Sequence, residues 1–161
     1  MPQWTLFEND FRSIDRVLNA LLDRTNALSV HLVDRSGQLI TTAGRIGDFD
    51  ATAFASLIAA DFTANAEVSQ LLGEDGVTAV VSESKGRSVY SCMLAGRIIM
   101  ATVFDRRSSL GIVRFRTQKA IRELDGVFRN LFEKVGIIEP MLATPQYAAA
   151  AEQEVDALFG D

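Results

Sequence analysis

The side chains best suited to covalent or metal chemistry are scarce. His31 is the only histidine and Cys92 the only cysteine, so a Cys–His nucleophile pair would have to be assembled by the fold from residues far apart in sequence. The plainer expectation is a half-buried strand histidine and a core thiol. One of each cannot supply the four ligands, mostly Cys and His, of a typical zinc site. Glu74 and Asp75 beside Gly76 lack the spaced oxygen ligands and terminal glutamate of a calcium loop and read as a solvated turn. Neither G-x-x-x-x-G-K-[ST] nor G-x-G-x-x-G occurs, so the glycine loops that wrap phosphate in common nucleotide enzymes are missing. Arg106 and Arg107 precede a helix, where the dipole disfavours cations, and surface solvation is their default reading. No catalytic, metal-binding or cofactor-binding residue is assigned.

The elements that would carry these residues follow from periodicity. Phe7, Phe11, Ile14, Val17, Leu18, Leu21 and Leu22 repeat on one helical face, which predicts a first helix over about 8–26. Glu8 and Asp10 in its first turn and Arg24 in its last suit its dipole. Leu28 to Val33 and Gln38 to Thr42 predict a hairpin turning at Asp34-Arg35-Ser36-Gly37. Asp50 is placed to cap a second helix over about 51–72, with Gly73 as its left-handed stop. Thr78 to Glu83, Ser88 to Ala95 and Arg97 to Phe104 predict a three-stranded meander with a tight turn at Gly96. A last helix carries Leu110, Val113, Thr117, Ile121, Leu124, Phe128, Leu131, Phe132 and Val135, with Gly136 expected to end it and Pro140 and Pro145 to keep it from resuming. The order α-β-β-α-β-β-β-α, with five antiparallel strands and three helices, is an α+β sandwich. Residues 1–136 form the expected domain and 137–161 a flexible tail.

The chain has 161 residues, a net charge of -5 and a sequence pI near 4.9. That length buries a core without disulfides. The negative balance gives no general attraction to nucleic acid or anionic lipid. No basic-then-apolar leader and no apolar run of membrane-spanning length is present, and the lone cysteine suits a reducing compartment. A cytoplasmic protein is expected.

The second helix departs from a simple amphipathic pattern. Its apolar residues, including Phe54, Leu57, Ile58, Phe62, Val68, Leu71 and Leu72, spread over roughly 200°, wider than the stripe of about 100° that covers one sheet. Asp61 and Asn65 sit within that arc, an awkward pair for a monomer core. A helix that packs the sheet on one flank and another subunit on the other accounts for both. In the tail, the segment 147–159 places Ala148, Ala151, Val155, Leu158 and Phe159 on one helical face beside Glu152, Glu154 and Asp156. A segment so short gains order by docking.

Element order, together with Leu32-Val33-Asp34-Arg35-Ser36-Gly37-Gln38-Leu39-Ile40, Ala55-Ser56-Leu57 and Phe104-Asp105-Arg106-Arg107-Ser108-Ser109-Leu110-Gly111, resembles the Roadblock/dynein light-chain family over about Leu6 to Val135. It is most similar to the bacterial MglB branch, whose tail the ending Val155-Asp156-Ala157-Leu158-Phe159 also resembles. The resemblance implies a Roadblock-type α/β sandwich. It further implies a homodimer with the middle helices side by side and the third strands joined, with Leu57, Asp61, Asn65, Val68, Val80 and Ser82 at the interface. The implied partner is a Ras-like small GTPase of the MglA type, activated without an arginine finger by resetting its own catalytic groups. Ala60, Thr63, Ala64, Glu67 and Leu71 would touch that GTPase. Val155, Leu158 and Phe159 of the tail would make a second contact promoting nucleotide exchange. Where MglB-like helices carry small residues on the GTPase side, this chain has Thr63 and Glu67. Cell polarity or motility, enrichment at a cell pole and polar scaffold proteins as further partners follow from the same resemblance.

Two other functions remain open on sequence. One is a non-catalytic dimeric Roadblock scaffold that binds proteins without stimulating GTP hydrolysis. The other is a small-molecule sensor, which would need a cavity between sheet and helices, and the dense apolar positions leave little room for one.

Overall fold

A computed structural model describes residues 5–45, 47–141 and Leu158. Helix α1 runs over Thr5–Thr25, strands β1 and β2 over Ser29–Asp34 and Leu39–Gly44, and helix α2 over Ala51–Leu71. Strands β3, β4 and β5 span Ala79–Ser82, Ser88–Leu94 and Ile98–Phe104, and helix α3 spans Leu110–Met141. The predicted order holds, and most elements begin and end close to their expected limits.

Local chemistry explains most of those limits. Asp50 accepts from the backbone N–H of Thr52 and of Ala53, both at 3.1 Å, and so satisfies two of the donors that a helix start leaves unpaired. Gly73, with φ of +82°, follows α2 in the left-handed conformation that glycine adopts at least cost. Ala95 and Gly96 both have positive φ, and Arg97 N–H bonds the Leu94 carbonyl at 3.2 Å, which makes the β4–β5 connection a tight hairpin of the primed type.

The strands form one antiparallel sheet in the order β2-β1-β5-β4-β3. Alternation along each strand sends Val30, Leu32, Tyr90, Cys92, Leu94, Ile98 and Met100 to the face covered by α1 and α3. Val33, Ile99 and, less deeply, Met93 and Val80 point to the opposite face, covered by α2 through Ala55, Ala59 and Phe62. Helices α1 and α3 run antiparallel, with Asp10 beside Lys134 at one end and Arg24 and Arg116 lining one groove at the other. The result is a three-layer sandwich with two helices on one face and one on the other.

Two expectations are corrected. Helix α3 passes through Gly136 and ends only at Met141. A helical glycine costs about 1 kcal/mol relative to alanine but does not stop a helix whose neighbours are packed. Leu131 and Val135 pack against Phe7 and Phe11 of α1, and Pro140, in the last turn, forgoes a single backbone bond. Strand β3 is shorter than expected, four residues in place of six.

Candidate functional site

His31 and Cys92 do not meet. His31 pairs with Ala101 across β1 and β5 and faces α2, between Phe49 and Phe54 with ring centroids 5.4 and 4.8 Å away. Cys92 pairs with Met100 and faces the α1–α3 core. The sheet separates them, so no Cys–His pair forms. His31 is fully buried, not half-buried, because the rings from the loop before α2 and from α2 itself close over it. Burial lowers its pKa from 6.5 to about 4, and burial pushes the Cys92 thiol up to about 12. A neutral imidazole and a protonated thiol, each buried, are structural groups.

The remaining candidates are equally quiet. Glu74, Asp75 and Gly76 form an exposed turn. The Arg107 guanidinium bonds both carboxylate oxygens of Asp105 at 3.1 to 3.3 Å, a local pair at the start of α3. Among the described residues no group of His, Cys, Asp and Glu is arranged to hold a metal ion. No described helix is long and apolar enough to cross a membrane.

What the molecule does present is α2. Five strands at ~4.8 Å spacing make a face about 19 Å across, and one helix of about 10 Å diameter covers roughly half of it. Ala55, Ala59 and Phe62 face inward, while Leu57 is 69%, Val68 54% and Leu71 87% exposed. At about 100° per residue, Leu57, Asp61, Val68 and Leu72 fall on one flank and Ser56, Thr63 and Glu67 on the other, with Ala60, Ala64 and Leu71 on the crest between them. Apolar exposure on this scale marks an interaction surface.

The two flanks have different neighbours. Ser56, Ala60, Thr63, Ala64 and Glu67 line a shallow groove whose other wall is Arg35 and Ser36 from the β1–β2 turn. That turn is held close to the helix by Gly37, whose φ of +95° lets the backbone pass within 3.4 Å of Ser56 Cα, measured from the position a Cβ would take. Four of the five residues expected to touch a GTPase are thus brought together; Leu71 lies further along the helix and outside the groove. The contribution of Arg35 and Ser36 was not anticipated, and only the tertiary approach of the turn reveals it.

Opposite the groove, the Leu57–Val68 flank looks away from the β1–β2 turn, toward the β4–β3 half of the sheet. Val80 is partly buried beneath α2, and Ser82 is exposed at the end of β3. Strand β3 bonds only β4, so its other row of backbone groups is unpaired among the described residues. It carries no charge or proline, the usual guards of a sheet edge. Asp61 and Asn65 are not buried under the helix: Asp61 is exposed, and Asn65 bonds it within one turn.

Of the tail candidates, Val155 and Phe159 lie outside the described residues. Leu158 is partly buried against Phe7, Phe11, Leu131 and Val135 of its own chain.

Comparison with known proteins agrees with this fold. Residues 13–104 match the family model described as the Roadblock/LC7 domain. Myxococcus xanthus MglB is 37% identical over 77% of this chain and 93% of its own, with a TM-score of 0.73. The gliding protein MglB from Thermus thermophilus is 22% identical over 73% of this chain and 90% of its own, with a TM-score of 0.68. A structure described as MglB with tetrameric arrangement is 24% identical over 73% and 89%, at 0.67. At these identities the last two speak for the fold alone. No curated protein sequence matches.

Proposed function

The chain belongs to the Roadblock/LC7 family, and from that premise we propose that it is a homodimeric regulator of a bacterial Ras-like small GTPase of the MglA type. The observation that carries this is the split surface of α2. One flank offers Leu57 and Val68 beside an unguarded strand edge, the other a groove shaped by Ala60, Thr63, Ala64 and Glu67. In the dimer, β3 pairs with its symmetry mate, so the two open half-sheets meet at the axis and the Leu57–Val68 flanks of the two α2 helices face each other above that seam. The paired grooves then face one GTPase.

The chain contributes no reacting group to hydrolysis in this reading. It acts by holding the GTPase's own switch segments in their productive arrangement, an electrostatic and positional effect. Participation in cell polarity or motility, and enrichment at a cell pole, belong to the same proposal. The test is phosphate release from the MglA-like GTPase of the same organism mixed with the purified chain. Faster release supports the activating role. Measurable binding without stimulation supports the second reading, a dimeric scaffold, which Glu67 favours by placing a charge in the groove.

A further inference from the structure

The α1–α3 layer carries a groove that the reading above does not use. Its floor is Val17, Ala20, Leu21 and Ala120, and its rim is Arg16, Arg24, Arg116 and Lys119, with Glu123 as the single acidic member. None of the four cations enters an ion pair among the described residues. From Arg106 to Arg122 the chain has six basic residues and no acidic one. A basic rim around an apolar floor fits an acidic, amphipathic segment.

The same seam already holds one residue of such a segment. Leu158 packs against Phe7, Phe11, Leu131 and Val135 at the other end of the α1–α3 pair. From residue 137 to 161 the chain contains Glu139, Glu152, Glu154, Asp156 and Asp161 and no lysine or arginine. The lengths agree. Residues 120 and 131 of α3 are separated by about 16 Å along the helix. Leu158 is helical, six residue steps of helix from Leu158 back to Glu152 span about 9 Å, and the long side chains of Glu152, Arg16 and Lys119 close the remaining distance.

We infer that the outer seam between α1 and α3 is the docking surface for the chain's own C-terminal segment, with Leu158 seated at one end and Glu152 and Glu154 drawn to Arg16, Arg24 and Lys119. The seam lies on the face of the sheet opposite α2, so the docked segment leaves the α2 groove open. If the tail also touches a GTPase, as the family resemblance implies, that contact competes with storage on the seam. The docking itself stands without that reading.

The experiment needs no partner. Cys92 is buried, so a spin label attached to an Ala150→Cys variant of the full chain reports the tail alone. The expected spectrum at low salt has a slow component. Motion becomes several-fold faster in Leu158→Asp, in the double variant Arg16→Glu/Lys119→Glu, and at high salt. Adding Glu152→Lys and Glu154→Lys to the Arg16→Glu/Lys119→Glu background restores the slow component, a rescue that a general loss of folding would not give. A fast spectrum in the parent, or one unmoved by either seam variant, overturns the inference. A slow component that vanishes on dilution also overturns it, since the seam would then hold the tail of a second copy.

Discussion

Asn65 Nδ2 donates to Asp61 Oδ1 at 3.0 Å and to the Asp61 carbonyl at 2.8 Å. The two polar side chains on the Leu57–Val68 flank of α2 therefore satisfy each other before any partner arrives. A second helix laid along that flank covers a polar pair that is already bonded, which lowers the desolvation cost of covering it. Because both groups come from one turn, they also mark a fixed level along the helix, as buried polar residues mark register in coiled coils.

Leu57 and Val68 should hold the dimer. Light scattering of the parent chain is expected to give about twice 17.6 kDa, and the Leu57→Asp/Val68→Asp variant a mass near one chain. Both side chains are more than half exposed in the single chain, so the variant should keep its helical content. A loss of at least a hundredfold in dimer affinity, about 3 kcal/mol, is expected. A parent that is monomeric at micromolar concentration would remove the role given to this flank.

His31 should make stability fall as the solution is acidified. Ser29 Oγ lies 2.9 Å from Nε2 and Thr42 Oγ1 lies 3.1 Å from Nδ1; Thr42 Oγ1 also donates to the Val30 carbonyl. This assigns the proton to Nδ1 and leaves Nε2 to accept from Ser29. With the folded pKa lowered to about 4 from 6.5, the unfolded chain binds the extra proton first. The stabilising contribution is complete above about pH 6.5 and shrinks as pH falls toward 4, by at most about 1.4 kcal/mol per unit. Urea titrations between about pH 7 and pH 5 should show this slope in the parent and a shallower one in His31→Asn. Equal slopes would mean His31 is not the titrating group.

Gly44 should be intolerant of any side chain. Its φ is +97°, and a Cβ there would stand 2.4 Å from the Leu28 carbonyl oxygen and 2.9 Å from Ser29 Cα. Both are backbone atoms of the adjoining strand entry, which cannot rotate away. Gly44→Ala is expected to cost about 2 to 4 kcal/mol in chemical denaturation, the range of strained left-handed positions with an added clash. Gly47→Ala, at a φ of +96° but with nothing within 4 Å, should cost clearly less, and equal losses would show that strain alone, not the clash, sets the effect.

These contrasts show what the sequence carried and what it did not. Asp50, Gly73 and the turn at Gly96 act through neighbours one to four residues away, so their signals survive in a linear reading. The excess apolar width of α2 was also legible, because periodicity reports faces even when it cannot say what covers them. Gly136 and Pro140 misled because they are local signals, and α3 is held by Phe7 and Phe11 from the other end of the chain. The burial of His31 and the entry of Arg35 and Ser36 into the α2 groove depend on two segments meeting in space. No local pattern encodes that meeting.

Glu67 should decide whether the α2 groove takes a partner and of what charge. Between Arg45 and Lys85 the chain carries Asp48, Asp50, Asp61, Glu67, Glu74, Asp75 and Glu83 and no basic residue, so the α2 layer favours a partner with a basic patch. Arg35 across the groove is the one cation lining it. Glu67→Lys should then weaken GTPase binding at low salt by about tenfold or more, roughly 1.4 kcal/mol, and Glu67→Ala by less. The dimer mass should be unchanged in both, since Glu67 lies on the flank away from Leu57 and Val68. Titrations at rising salt separate the possible outcomes. If parent binding weakens with salt and Glu67→Lys removes that dependence, the groove reads charge on its partner. Should Glu67→Ala instead bind more tightly, the carboxylate is an obstacle to docking, and the scaffold reading becomes the stronger one.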